Sequence, residues 1–264
     1  GNIAVNIPIA GTAGDGDDAT DVTMTAGSGT ISVEDITTDI NDVQLTSTGG
    51  ISLDGTITTA TDSDETGNES GVVTLTGPVT LAGNTTIDTD SDSNNGAVTL
   101  TSTVDGGNTL TITSGSGAVQ FGGNVGATTA ISDLTVNSTG GTGAITFSGN
   151  VGASATSAGA AVVTIGNAAT ASITFAGVEF TTSGLQLFTA DAYSITGADS
   201  TFGSSNDNIT FADGGADGGI TLADIADLTI TTEIGGTGGG NIAVNIPIAG
   251  TAGDGDDATD VTMT

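Results

Sequence analysis

Gly117–Ala127 reads GAVQFGGNVGA, and Gly143–Ala153 reads GAITFSGNVGA, 26 residues further on. Each copy opens on an apolar–polar–apolar triplet, Val119-Gln120-Phe121 in one and Ile145-Thr146-Phe147 in the other. Alternation of this kind puts the outer members on one side of an extended strand and the middle member on the other. Gly and Asn then end the strand within a few residues. The pair predicts a chain that lays down one short strand, wanders, and returns to lay down the next.

The same triplet recurs on both sides of this pair. It stands at Val22–Met24, Val43–Leu45, Val73–Leu75, Val98–Leu100 and Ile173–Phe175, with spacings of 21 to 30 residues. Further triplets lie between, at Val79–Leu81, Leu110–Ile112, Leu134–Val136, Leu185–Leu187, Ile209–Phe211, Ile220–Leu222 and Leu228–Ile230. In Val73-Thr74-Leu75-Thr76 the aliphatics point in and both Thr point out, and β-branched residues suit a pleated surface. No stretch has a helical period with caps, so no helix is expected.

Two all-β architectures accommodate many short strands: a parallel β-solenoid, whose coils stack one on the next, and a row of tandem β-sandwich domains. The solenoid is the preferred reading. The minor repeat has the length of one solenoid coil, the strands are short, and aromatic content is only 3% with no Trp to anchor a sandwich core.

A second repeat is longer and letter-perfect. Gly1–Thr25 reads GNIAVNIPIAGTAGDGDDATDVTMT, and Gly240–Thr264 reads the same, 239 residues later. This predicts tandem copies of a 239-residue unit, with residues 1–239 forming one full unit and 240–264 the start of the next. At about 25 residues per coil and about 4.8 Å per stacked strand, a unit makes nine or ten coils and rises about 45 Å.

Composition narrows the function. The chain has no Lys, Arg, His or Cys, 31 acidic residues and a formal net charge of -31. Ordinary chains carry roughly a quarter charged residues of both signs. Without a cation there is no ion pair between side chains and no grip on phosphate, which weighs against nucleic acid. A polybasic hold on anionic lipid is excluded, and no apolar run reaches the roughly 18 residues of a membrane helix. No disulfide forms. Stability must come from backbone hydrogen bonds, apolar burial and bound cations.

The run from Gly96 to Gly152, GAVTLTSTVDGGNTLTITSGSGAVQFGGNVGATTAISDLTVNSTGGTGAITFSGNVG, resembles the repeats of large bacterial surface adhesins of the filamentous-haemagglutinin-like and autotransporter-like kind. The resemblance is clearest over residues 71–176. It implies a right-handed parallel β-helix, an extracellular or cell-surface location, and a role in adhesion or a fibrous coat. It brings no catalytic residues. The chain departs from these repeats in lacking every basic residue.

Nucleophilic triads need a base, usually His, and none is present. Two carboxylates suffice for glycoside cleavage, so a carboxylate-based polysaccharide-active β-helix enzyme is retained as an alternative, although no apolar-flanked acid pair and no aromatic platform stand out. Calcium is the better chemical expectation. Acidic clusters occur at Asp15, Asp17, Asp18 and Asp21, at Asp62, Asp64, Glu65 and Glu69, and at Asp88, Asp90 and Asp92. Calcium takes six to eight oxygens, which alternating Asp in Gly-rich loops supplies, yet none matches the twelve-residue calcium loop. Loose cation screening of mutually repelling carboxylates is the competing reading. Thr-X-Thr runs predict outward Thr ladders. Sequons stand at Asn68, Asn84, Asn137 and Asn208.

The expected function is a non-enzymatic repeat unit of an extracellular filament, sheath or stalk. Its partners are copies of itself along a fibre axis, divalent cations or surface glycans. The alternative is the repeat region of an adhesin that presents a binding domain elsewhere.

Overall fold

A parallel strand pair buries its inward side chains directly over one another, so an apolar triplet is stable only when the next coil repeats it. Val22, Val43, Val73, Val98, Val119, Ile145, Ile173, Tyr193, Ile220 and Ile248 form one such column, each the Cα partner of the next. The computed structural model describes residues 1–11, 20–37, 40–59, 71–90, 95–152, 159–205, 207–215, 218–223, 227–234, 239–250 and 260–264. Among these residues there are 27 strands and no helix. The strands form a ten-stranded and a seventeen-stranded sheet. The chain is a parallel β-helix.

The ten-stranded sheet is the first of three faces visited in turn by each coil. All seven regularly spaced triplets, from Val22–Met24 to Ile173–Phe175, lie on it in register. The second face carries the column Ile3, Ile31, Ile51, Val79, Val104, Val125, Val151, Phe180, Phe202, Ile230 and Met263. The third carries Ile9, Ile36, Ile57, Ile87, Ile112, Val136, Ile165, Phe188, Phe211 and Val244. Faces two and three belong to one sheet because some strands run through the corner between them. Ile51–Thr58 and Val79–Asp88 are two of these, 8 and 10 residues long and therefore longer than expected. The bend falls at a register shift between Leu53 and Gly55, where Gly55 takes a φ of 124° that a side chain would resist.

One triplet is out of phase. Leu185–Leu187 was expected to point both Leu inward, but Gln186, Phe188 and Ala190 are buried and Leu187 faces outward. A one-residue slip exchanges the two faces of a strand. Here Phe188 stacks on Phe211 with centroids 4.9 Å apart. The Gln186 Nε2 donates to the carbonyls of Phe180 and Gly203 at 3.1 and 2.7 Å, which offsets part of the cost of burying the amide, while its Oε1 is buried without a partner.

Low aromatic content does not mean an aromatic-free core. All 7 Phe lie between Phe121 and Phe211 and pack inside the coil. Phe175 from face one, Phe180 and Phe202 from face two and Phe188 from face three meet edge to face with centroids 4.9 to 5.4 Å apart. Outside, the expected Thr ladders form. On face three Thr56, Thr86, Thr111, Thr135 and Thr164 are consecutive partners.

Candidate functional site

The edges of the coil position most of the polar side chains, and they act as fasteners between turns. Between faces one and two, the Asn124 Oδ1 accepts from Asn150 N at 3.0 Å, and the Asn150 Oδ1 accepts from Val178 N at 2.9 Å. This is the work of the Gly-Asn-Val motif. The Gly in front of each Asn lets the turns approach, since a Cβ on Gly149 would lie 2.5 Å from the Gly123 carbonyl carbon. Between faces two and three, the Asp35 Oδ1 accepts from Thr56 N and the Asp105 Oδ1 from Thr128 N, both at 2.8 Å. Two sequon residues do the same, Asn84 toward Thr109 N at 3.1 Å and Asn208 toward Asn241 N at 2.7 Å. A third, Asn137, is buried; Asn68 lies outside the described residues.

Between faces three and one, side-chain hydroxyls donate to backbone carbonyls across the corner. Thr59 and Thr89 donate to Gly71 O and Gly96 O at 2.6 Å each, and Ser114 donates to Gly117 O at 2.7 Å. The carboxylates here serve the stack too. The Asp21 Oδ1 accepts from Asn41 Nδ2 and Asp42 N at 3.2 Å, and the Asp42 Oδ1 from Val72 N at 2.8 Å.

Of the acidic positions singled out for cations, Asp15, Asp17, Asp18, Asp62, Asp64, Glu65, Glu69 and Asp92 lie outside the described residues. Asp21 is engaged as above. The Asp88 Oδ1 accepts from Asp90 N at 3.1 Å, an Asx turn. Among the described residues no three acidic side chains converge as a metal site.

A dent beside Glu179, lined in part by Phe147, Phe175 and Phe180, has no room for a water-sized guest. The Glu179 Oε2 is buried there without a hydrogen-bond partner. Burial pushes this carboxyl above the ordinary carboxylate value. The folded chain therefore holds the proton to higher pH than the unfolded chain, and stability falls as pH rises through that interval. Glu179→Gln should raise the melting temperature at about pH 7, and the gain should vanish at about pH 3, where both states carry the proton. An equal gain at both pH values would show that charge burial is not the cause.

The two ends of the coil are the remaining surface with chemical meaning. Among the described residues Ile7, Val178, Val261 and Met263 are the exposed large hydrophobics, and three of the four belong to the duplicated 25-residue segment. Each has a twin in the other copy. Ile7 is 69% exposed but its twin Ile246 only 8%. Val261 is 41% exposed and its twin Val22 only 7%. Met263, 46% exposed, has a half-buried twin in Met24. The two copies pack against different coils, and these three side chains are covered to different extents in them. The letter-perfect repeat was the signal for this surface; the Asn fasteners were visible only as an unexplained recurrence. No family model matches the chain, and no curated protein and no solved structure matches it.

Proposed function

We propose that this chain is the repeat unit of an extracellular filament, sheath or stalk in which successive units stack coil on coil. The observation that carries the reading is the pair of environments of one 25-residue segment. Three of its apolar side chains, at the Ile7, Val22 and Met24 positions, are exposed in one copy and more deeply covered in the other. Open ends of a parallel stack are strand edges that pair with whatever strand is offered, and a following unit offers the strand already seen in place. Stability in such an array is a sum over neighbouring coils, so each added coil brings its own increment.

A net charge of -31 with no basic residue keeps the lateral surfaces soluble and apart, and removes every cleavage point for proteases that cut after Lys or Arg. The surface location follows the resemblance to adhesin repeats. The proposed function is mechanical rather than catalytic: the chain has no His, Lys or Cys, and Asp21, Asp35 and Asp105 hold backbone N–H groups of the adjacent turn. Cryo-electron microscopy of the native gene product should show an unbranched rod with an axial advance of about 45 Å per unit, from about 4.8 Å per coil. Compact beads on flexible tethers would overturn the reading.

A further inference from the structure

From Ile3 the column on face two climbs nine turns to Ile230, through nine successive pairings. The twin of Ile3 does not come next in that column. Ile242 lies on face three, paired with Ile209. The rest of the segment is displaced in the same sense. Ile9 is on face three beside Ile36, while its twin Ile248 is on face one beside Ile220. Val22 is on face one beside Val43, while its twin Val261 is on face two beside Leu228. All three strands have moved on by one face.

We infer that one 239-residue unit contains nine turns and one third of a turn, so that successive units are rotated by one face about the filament axis. The inference rests on the end-to-end reading above. The two copies together give the whole junction, because one shows what lies beneath the segment and the other what lies above it. Ile209 is followed by Ile242, whose twin Ile3 is followed by Ile31. Ile220 is followed by Ile248, whose twin Ile9 is followed by Ile36. Leu228 is followed by Val261, whose twin Val22 is followed by Val43. Every column continues, and every face hands over to the next.

The segment tolerates this because its strands are interchangeable. Each is a short aliphatic alternation, and the same Asn-Ile-Pro stretch separates the first two strands in both copies. The consequence is a filament with a threefold screw. A unit regains its orientation after three units, or 28 turns, an axial distance of about 134 Å at about 4.8 Å per turn. Whatever a unit displays on one edge is displayed on all three edges in succession. The rod has no distinct side, and neighbouring rods or a coating surface meet the same features from every direction.

The chain has no cysteine, so introduced pairs report placement without background. Adjacent parallel strands bring Cα partners within the roughly 4.4–6.8 Å range that a disulfide requires. Ala243 is the Cα partner of Thr210. The variant T210C/A243C should close a disulfide on mild oxidation, read as loss of two titratable thiols and of two hydrogens in the intact mass. Had the unit held nine or ten whole turns, Ala243 would lie on face two, against Thr201 or Thr229. T201C/A243C and T229C/A243C should therefore stay reduced under the same conditions. Closure of either of these in place of T210C/A243C, or of none of the three, overturns the inference. These outcomes are independent of the filament reading, which fails only if whole units form separate beads.

Discussion

Phe175→Ala should destabilise the chain by about 3–5 kcal/mol, the usual result of emptying a well-packed aromatic site. Phe175 is the ring at which the three faces meet. It lies edge-on to Phe202, Phe188 and Phe180 with centroids 4.9, 5.2 and 5.4 Å away, and stacks on Phe147 at 5.8 Å. Aromatic pairs of this geometry contribute about 0.5–1.5 kcal/mol each beyond their buried area. Denaturant titration reads the change as a lower midpoint. Hydrogen exchange should show it spreading to the turns on either side, because each coil is stabilised by its neighbours. Thr174→Ala supplies the contrast. Its Cα partners are Thr146 and Ser194 on the outward side, and its loss should cost no more than about 0.5–1 kcal/mol. A loss below about 1 kcal/mol at Phe175 would mean that the rings do not pack as a cluster.

Face one was legible because its triplets alternate cleanly, although their spacing varies from 21 to 30 residues. Val73-Thr74-Leu75 and its six companions are uninterrupted alternations closed by Gly, Asn or Asp, and the register pairs them residue for residue. Faces two and three were harder to read for two reasons. Corner-turning strands such as Val79–Asp88 fuse two faces into one run. Elsewhere a face shrinks to a single bridging residue, as at Val125 and Val151, which no alternation can reveal. Leu185–Leu187 misled because hydrophobicity alone fixed its phase. A buried Gln186 amide with backbone partners and a Phe ladder outweighed two leucines.

The candidate surface was legible in the same partial way. The 239-residue recurrence singled out the two copies of one segment for comparison. It did not tell the rotation, which appears only when columns are counted. The acidic clusters drew attention as cation ligands. Where the carboxylates are described, Asp21, Asp35 and Asp105 spend their oxygens on backbone N–H groups of the adjacent turn. A short acceptor at a corner is what a coil edge requires, and Asp and Asn serve equally, so charge alone does not distinguish fastener from ligand.

Asn137 joins these threads, and its replacement is the second large effect. It is buried, with a left-handed φ of 46°. Its Oδ1 accepts from Ser114 N at 2.8 Å and its Nδ2 donates to Ser114 Oγ at 3.0 Å. Ser114 Oγ in turn donates to Gly117 O, and the Asn137 carbonyl accepts from Asn167 Nδ2 at 2.6 Å. Alanine would leave the Ser114 N–H buried without a partner, which costs about 1–3 kcal/mol. It would also place a Cβ in a conformation that Asn tolerates better, adding about 1 kcal/mol. Asn137→Ala should therefore cost about 2–4 kcal/mol. Asn137→Gly separates the two parts, since glycine accepts the backbone but not the hydrogen bonds. It should recover about 1 kcal/mol relative to alanine and no more. Equal losses in the two variants would show that the left-handed backbone carries no cost there, and recovery to the parent's stability with glycine would show that the amide bonds carry none.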